Sequence, residues 1–299
     1  MLILVIGLSL LLYPTVSDYW NSLHQSRAIT SYAEQVSDMN SEEYERIWAE
    51  AVAYNRELAQ SAVAYALTPE QEQQYGTLLN VGGTGEMGYI EIPSIKVSLP
   101  IYHGTDDTVL QHAIGHIEWS SLPVGGESSH CVLSGHRGLP SAKLFTNLDK
   151  LSPGDTFILR VLDEVLTYEV DQILIVEPSG VDSLRIEEGQ DYCTLVTCTP
   201  YGINTHRLLV RGHRVENAEE ARSVYVTADA MQIEPLLVAP VIAAPMLLLL
   251  LIALLLPARP RKRNGDDTDE SHYALVRRVA CRARDLRAAA HTGAGGRQD

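Results

Sequence analysis

Between Pro235 and Ala258 the chain carries no charged residue, and Leu236–Leu256 is predominantly apolar, with an unbroken run of leucines at Leu247–Leu251. That stretch exceeds the roughly 20 apolar residues a helix needs to cross a bilayer. Arg259, Arg261, Lys262 and Arg263 follow at once, a basic cluster of the kind that stays on the cytoplasmic side. A buried core helix is the competing use of such a segment, but core helices rarely go so long without a charge. The expectation is a transmembrane helix over 235–258, and this divides the rest of the chain between two compartments.

The charges divide in the same way. Residues 14–235 hold 13 Lys+Arg against 32 Asp+Glu, whereas residues 259–299 hold 10 against 6, together giving the net −15. An acidic outer part and a basic inner tail is the polarity expected of a membrane-embedded chain. The same balance argues against a nucleic-acid partner, which would need a basic footprint. Arg277, Arg278, Arg282, Arg284 and Arg287 could lay the tail on an anionic leaflet or be a merely solvated face. At the other end, Met1–Tyr13 is apolar and Pro14 and Asp18 follow it, so residues 1–16 read as a short, truncated hydrophobic anchor.

Between the two apolar ends the texture changes once. Residues 17–86 read as a helical extension and a lid-like linker. Asn40 with Glu43 makes a capping-box pattern, and Tyr44, Ile47, Trp48, Ala51, Tyr54 and Leu58 then recur at helical spacing, as a stripe that packs on a neighbouring domain. Thr68-Pro69 breaks the helix. The glycines of Val81-Gly82-Gly83-Thr84-Gly85 form a turn-rich link and lack the strand-before, helix-after context of a dinucleotide site. Residues 87–216 then break into short alternating segments: Gly88–Ile92, Ser98–Tyr102, His130–Leu133, Thr156–Val161, Leu166–Val176, Tyr192–Cys198 and His206–Arg214. Lys143–Leu148 and Ser183–Ile186 read as single helical turns. Seven or eight short strands with little helix between them predict a mainly β fold, a closed barrel or a sandwich. Residues 217–234 are a linker to the membrane segment.

The outer part contains Cys131, Cys193 and Cys198, and the tail Cys281. Three is an odd number, so at least one outer cysteine is a free thiol or pairs with another molecule. The spacing of Cys193 and Cys198 is not that of a zinc site, and the sequence has neither C-x-x-C nor H-E-x-x-H, so no metal site is expected. Strand alternation puts Tyr192, Thr194, Val196 and Cys198 on one face, and Cys193, Leu195 and Thr197 on the other. Cys198 ends its strand beside the irregular stretch Thr199–Asn204, where a reactive group can be rigid and still exposed. Cys131 and Cys193, in mid-strand, read as small core residues.

A thiol nucleophile needs a proton-exchanging partner. His136 lies in a glycine-flanked turn, Ser134-Gly135-His136-Arg137-Gly138, directly after an apolar strand, and His206 is its rival. An antiparallel return of His206–Arg214 would bring Arg207 opposite Cys198, either to steady an oxyanion or as an ordinary surface ion pair.

The stretch TLVTCTPYGINTHRLLVRG, Thr194–Gly212, closely resembles the active-site signature of sortases, in which T-L-x-T-C is followed at a set interval by arginine. The His-Arg-Gly turn at 136–138, preceded by SSLPVGG at 120–126, is similar to that family's histidine region. The resemblance covers about residues 40–260 and is nearest to class C, the pilin polymerases. Three features point there: the wording CTPYGINTHRLLVRG, the helical extension with Ala53-Tyr54-Asn55, and the C-terminal apolar helix with its basic tail.

The resemblance implies an eight-stranded sortase-type β-barrel with an α-helical N-terminal extension and a C-terminal transmembrane helix. It also implies roles: Cys198 as nucleophile, His136 as acid/base and Arg207 as oxyanion and substrate clamp. The implied reaction cleaves an LPXTG-like sorting signal between Thr and Gly through a Cys thioester, then transfers the acyl group to a lysine amine of a pilin. Anchoring of surface proteins to peptidoglycan is the alternative with the same chemistry, and an inactive membrane-bound scaffold is the remote one. The implied location is the outer face of a Gram-positive type membrane. Many class C members also carry a lid with an Asp-Pro-aromatic motif. Leu67–Asn80 reads LTPEQEQQYGTLLN and has none, so the site is expected to be unplugged, or plugged differently by a residue such as Tyr75.

Overall fold

Alternating side chains let a strand bury one face and leave the other free, and eight such strands close on themselves in this chain. The computed structural model describes residues 2–61 and 65–217. The expected membrane helix at 235–258, the tail 259–299 and nearly all of the linker 217–234 lie outside the described residues. Among the described residues no helix is long and apolar enough to cross a membrane.

The strands are β1 (Glu86–Ile92), β2 (Val97–His103), β3 (Ile114–His116), β4 (Ser129–Ser134), β5 (Thr156–Val161), β6 (Glu164–Val176), β7 (Asp191–Thr199) and β8 (His206–Arg214). They form a closed barrel in the order β1-β2-β3-β4-β7-β8-β6-β5. Two neighbour pairs are parallel, β2 with β3 and β4 with β7, and the other pairs are antiparallel. A parallel pair needs a crossover. For β4 and β7 that crossover contains β5 and β6, so two segments distant in sequence become neighbours along their whole length.

Seven of these strands match the segments read from the sequence to within about two residues at each end. The eighth, β3, was not read from the sequence. At three residues it is too short to show alternation, and it exists because β2 and β4 flank it.

Alternation sorts the two faces of β4 and β7 strictly. Cys131, Leu133, Cys193 and Leu195 point into the barrel, where Phe145, Phe157 and Tyr168 fill the interior. Val132 and Val196 point outward and form a second apolar cluster with Leu209 of β8 and Leu184 from the β6–β7 connection. Arg211 of β8 ties its two neighbouring strands, pairing with both carboxylate oxygens of Asp171 on β6 at 3.1 and 2.9 Å and lying 4.1 Å over the ring of Tyr192 on β7, and it reaches Glu187 of the connection at 3.7 Å.

The helical part starts with α1 (Leu2–Ser37), which runs through Pro14 and does not stop there. A proline inside a helix removes one backbone bond and strains a turn, but does not oblige the helix to end. Asp18 accepts from the backbone N–H of Lys143 at 3.0 Å, Asn21 donates to Ser141 O at 2.8 Å, and Tyr32 bridges Met87 O and Leu162 N–H. The helix is thereby fastened to the barrel at several heights.

Asn40 caps α2 (Ser41–Gln60), accepting from Glu43 N–H at 2.9 Å. Ala51, Tyr54, Asn55 and Leu58 are its buried stripe. Asn55 exchanges two hydrogen bonds with the backbone of Leu122, at 3.0 and 2.7 Å. Thr68-Pro69 does more than interrupt a helix: Thr68 caps the short α3 (Pro69–Tyr75) in a reciprocal box with Gln71, and Pro69 takes the first helical position, where its missing N–H costs nothing.

Candidate active site

The parallel pairing of β4 and β7 keeps one offset throughout. Ser129 stands opposite Asp191, Cys131 opposite Cys193 and Ser134 opposite Val196. The same offset continues past the end of β4. Gly135 N–H donates to Val196 O at 3.0 Å, and Thr197 Oγ1 donates to Gly135 O at 2.7 Å. One step further, Arg137 Nη1 lies 3.4 Å from Thr199 Oγ1, across the same 62-residue separation. His136 and Cys198 are the pair enclosed between these contacts. His136 follows Gly135 and Cys198 follows Thr197, so both residues lie at this one end of the barrel.

Cys198 also stands opposite Arg207 in the antiparallel β7–β8 pair, with Thr199 opposite His206. The three residues named from the sequence therefore lie across the ends of three adjacent strands, in the order His136, Cys198, Arg207. All three are half-buried. Cys198 shares the outer face of β7 with Val196, so it stands at the end of the external apolar cluster and outside the barrel interior.

The histidines separate by what holds them. His116 is fully buried, with Nε2 2.8 Å from Ser121 O and Nδ1 3.0 Å from the Tyr75 hydroxyl. His130 is buried, held by Arg185 O and Thr194 Oγ1 at 2.7 Å each, and burial lowers its pKa. His103 bridges Gly85 O and Leu78 O, and burial lowers its pKa too. His206, the rival named from the sequence, is exposed, makes a local contact with Thr205 Oγ1 at 2.9 Å and lies one register position away from Cys198. These rings are spoken for. His136 makes no such side-chain hydrogen bond among the described residues and lies at the barrel end that carries Cys198.

Arg207 does not form the surface ion pair that was its ordinary alternative. Its Nη1 donates to Asn204 O at 3.3 Å and His206 O at 3.2 Å, and none of the ion pairs among the described residues includes it. The guanidinium is folded over the β7–β8 turn, whose Tyr201 and Ile203 are 61% and 68% exposed.

Arg137 belongs to the same site. Its side chain is only 10% exposed, pairs with Asp149 at 2.6 Å, reaches Thr199 and lies 5.9 Å from the ring of Tyr201. One residue thus joins the histidine turn to the residue after Cys198 and to the turn that follows. Gly138, at φ +77°, lets the turn pass beneath Tyr201, since a Cβ there would come within 2.9 Å of the ring. Gly135 is required for a different reason: a Cβ would meet Ile114 at 2.6 Å and Phe145 at 2.7 Å. Nothing in the linear spacing points to Arg137, because Asp149 and Thr199 become its neighbours only through the fold.

Tyr75 does not plug the site. It is buried at 4% exposure beneath His103 and His116, its hydroxyl accepting from Gly104 N–H at 2.9 Å, and burial pushes its pKa upward. Nearer the outer apolar cluster, Tyr65 packs edge-on against Trp119 at 5.2 Å and accepts from Arg185 Nε at 2.9 Å. Among the described residues no group of three or more His, Cys, Asp or Glu is placed to hold a metal ion.

The family model of the sortase domain matches residues 90–215. The crystal structure of sortase C1 from Streptococcus agalactiae superposes with a TM-score of 0.63 at 52% identity, covering 64% of this chain and 100% of that one. Sortase C from Streptococcus pneumoniae, whose structure bears on catalysis and pilin substrate specificity, gives 0.58 at 46%, covering 64% and 97%. Among curated proteins, sortase D of Bacillus subtilis is 32% identical over 131 residues, 43% of this chain and 63% of its own length. The chain thus spans less than two thirds of that curated relative.

Proposed function

Because this chain belongs to the sortase family, we propose that it is a membrane-tethered cysteine transpeptidase of the class C type, joining pilin subunits. Cys198 is the nucleophile, His136 the acid/base and Arg207 the oxyanion clamp. The observation that carries this reading is the register of β4 and β7, paired from Ser129/Asp191 to Ser134/Val196 and continued by Gly135 bonding to Val196 and Thr197, which brings His136 to the barrel end where Cys198 stands.

In this reading the scissile carbonyl of an extended sorting signal of the LPXTG type comes to Cys198, which is half-buried at the end of β7. The thiolate adds to that carbonyl, and the developing oxyanion is met by the Arg207 guanidinium. Imidazolium at His136 gives its proton to the leaving glycine amine, which leaves a thioester on Cys198. The incoming lysine amine then gives a proton to His136 as it attacks, and the product is an isopeptide bond. None of these steps calls for a cofactor. The apolar segment 235–258 and its basic flank hold the barrel at the outer membrane face, and the tail 259–299 is cytoplasmic.

The test is a mass-spectrometric assay of the full chain in detergent, wild type and Cys198→Ala, with an LPXTG-type peptide and a lysine-bearing pilin fragment. A peptide adduct on Cys198 together with a lysine-linked product is expected from the wild type alone. An adduct released only by water or by glycine-like amines would replace polymerisation with cell-wall anchoring. An equal product yield from Cys198→Ala would overturn the enzymatic reading.

A further inference from the structure

Five residues before His136 on β4 stands Cys131, and five residues before Cys198 on β7 stands Cys193. The two cysteines face each other in the parallel ladder. Both point into the barrel, at 2% and 0% exposure, and both are free thiols in the structure. Adjacent strands hold paired Cα atoms about 4.8 Å apart, inside the range of roughly 4.4–6.8 Å that disulfides span. Two thiols on the same side of neighbouring strands, at one register position, are within reach of a disulfide without a change of strand pairing.

We propose that Cys131 and Cys193 form an intramolecular disulfide in the mature protein, stapling the two strands whose ends carry His136 and Cys198. The link makes sense of the odd cysteine count. Pairing Cys131 with Cys193 leaves Cys198 as the single free thiol of the outer part, so the reactive cysteine has no local partner with which to be lost in a wrong bridge. It also pins the register on which the His136–Cys198 juxtaposition depends, because a slip of one residue would turn either side chain to the opposite face.

The chemistry is thiol–disulfide exchange with a donor disulfide, supplied by a small molecule or an oxidoreductase. The thiolate of one cysteine attacks the donor, and half of the donor leaves as thiol. The thiolate of the other cysteine then displaces the second half. The two cysteines lose two electrons and two protons, and the donor becomes two thiols. Since neither sulfur is accessible in the closed barrel, the exchange belongs to the folding chain, and the finished bond is shielded from reductants.

The test uses the full chain, exported into an oxidising compartment, unfolded in guanidinium with iodoacetamide and no reductant, then digested for mass spectrometry. Cys198 and Cys281 are expected to be alkylated. Peptides containing Cys131 and Cys193 are expected to be linked, two hydrogens lighter, and separable by reductant. Alkylated Cys131 and Cys193 in that sample, or a bridge from either to Cys198, would overturn the proposal. A second measurement does not depend on peptide mapping. Reduction during unfolding should lower the melting temperature of the wild type by about 5 °C or more and leave Cys131→Val/Cys193→Val unchanged. An equal shift in the double variant would also overturn it. Neither readout involves a peptide substrate, so both are separate from the test of transpeptidation.

Discussion

The middle of the β4–β7 pair and its end are built from the same two strands in the same register, yet they serve different chemistry. In the middle, Cys131 and Cys193 face inward among Leu133, Leu195 and Phe157, sealed from water. Five residues on, His136 and Cys198 lie where β4 has already ended and β7 is about to, half-open beside an exposed turn. Residue type does not distinguish Cys193 from Cys198. An odd number of steps along the strand moves the second thiol to the other face, and the end of the ladder uncovers it. Burial raises the thiol pKa at Cys193, with Cys131 beside it adding to the shift.

The sharpest way to break this contrast is to truncate each thiol in turn. Cys198→Ala should lower peptide acylation by about 10³-fold or more with an unchanged melting temperature. Cys193→Ala, assayed in reduced protein, should do the reverse, leaving acylation within about threefold and costing about 1 kcal/mol of stability. If both variants lost activity alike, middle and end would not be separate. Gly135→Ala joins the two regions, because the new methyl strikes Ile114 and Phe145 in the core while displacing the His136 turn. Denaturant titration should show a loss of about 1–3 kcal/mol, accompanied by reduced acylation.

Arg137→Lys acts at the end alone. Lysine keeps the charge but not the fork that reaches both Asp149 and Thr199. A fall of about tenfold in kcat with little change in KM is expected, since only positioning is disturbed. The smallest effect tests a buried group remote from this chemistry. Glu86 is buried, its Oε1 lacks a partner, and burial pushes its pKa from 4.5 up to about 7. A carboxyl raised on folding holds its proton in the folded state over that interval. Its contribution is therefore intact below about pH 4.5 and is lost as the pH rises through about 7. Glu86→Gln should remove this part of the pH dependence of the melting temperature, raising stability above pH 7 relative to wild type and changing acylation little.

How much of the molecule could be read without coordinates depends on the range of the interactions. The cap at Asn40, the stripe through Ala51, Tyr54 and Leu58, and seven of eight strands rest on residues within a few positions of each other, and these stand in the structure as read. In the linear sequence Thr68-Pro69 marks only a break in the helix. The role of Thr68 as a cap depends on Gln71 turning back, which the spacing permits and the fold of α3 realises. β3 escaped notice because three residues carry no period. Tyr75, a plug as far as its position in the sequence goes, is a buried support for His116, since its environment comes from β2 and β3.

Local pattern alone determined which segments could be strands and helices, that Cys198 ends a strand on the face opposite Cys193, and that an uncharged span precedes a basic tail. These follow from side-chain period and charge, which are properties of neighbours in sequence. Which strands lie together was decided only by closure of the barrel. Pairing β4 with β7 across two intervening strands brought His136 to the barrel end that carries Cys198, and put Cys131 opposite Cys193 and Arg137 beside Thr199. A contact across 62 residues leaves no mark on the composition or period of either segment, because the chain that links them can fold the same two patterns into many pairings, and only the packed core selects one.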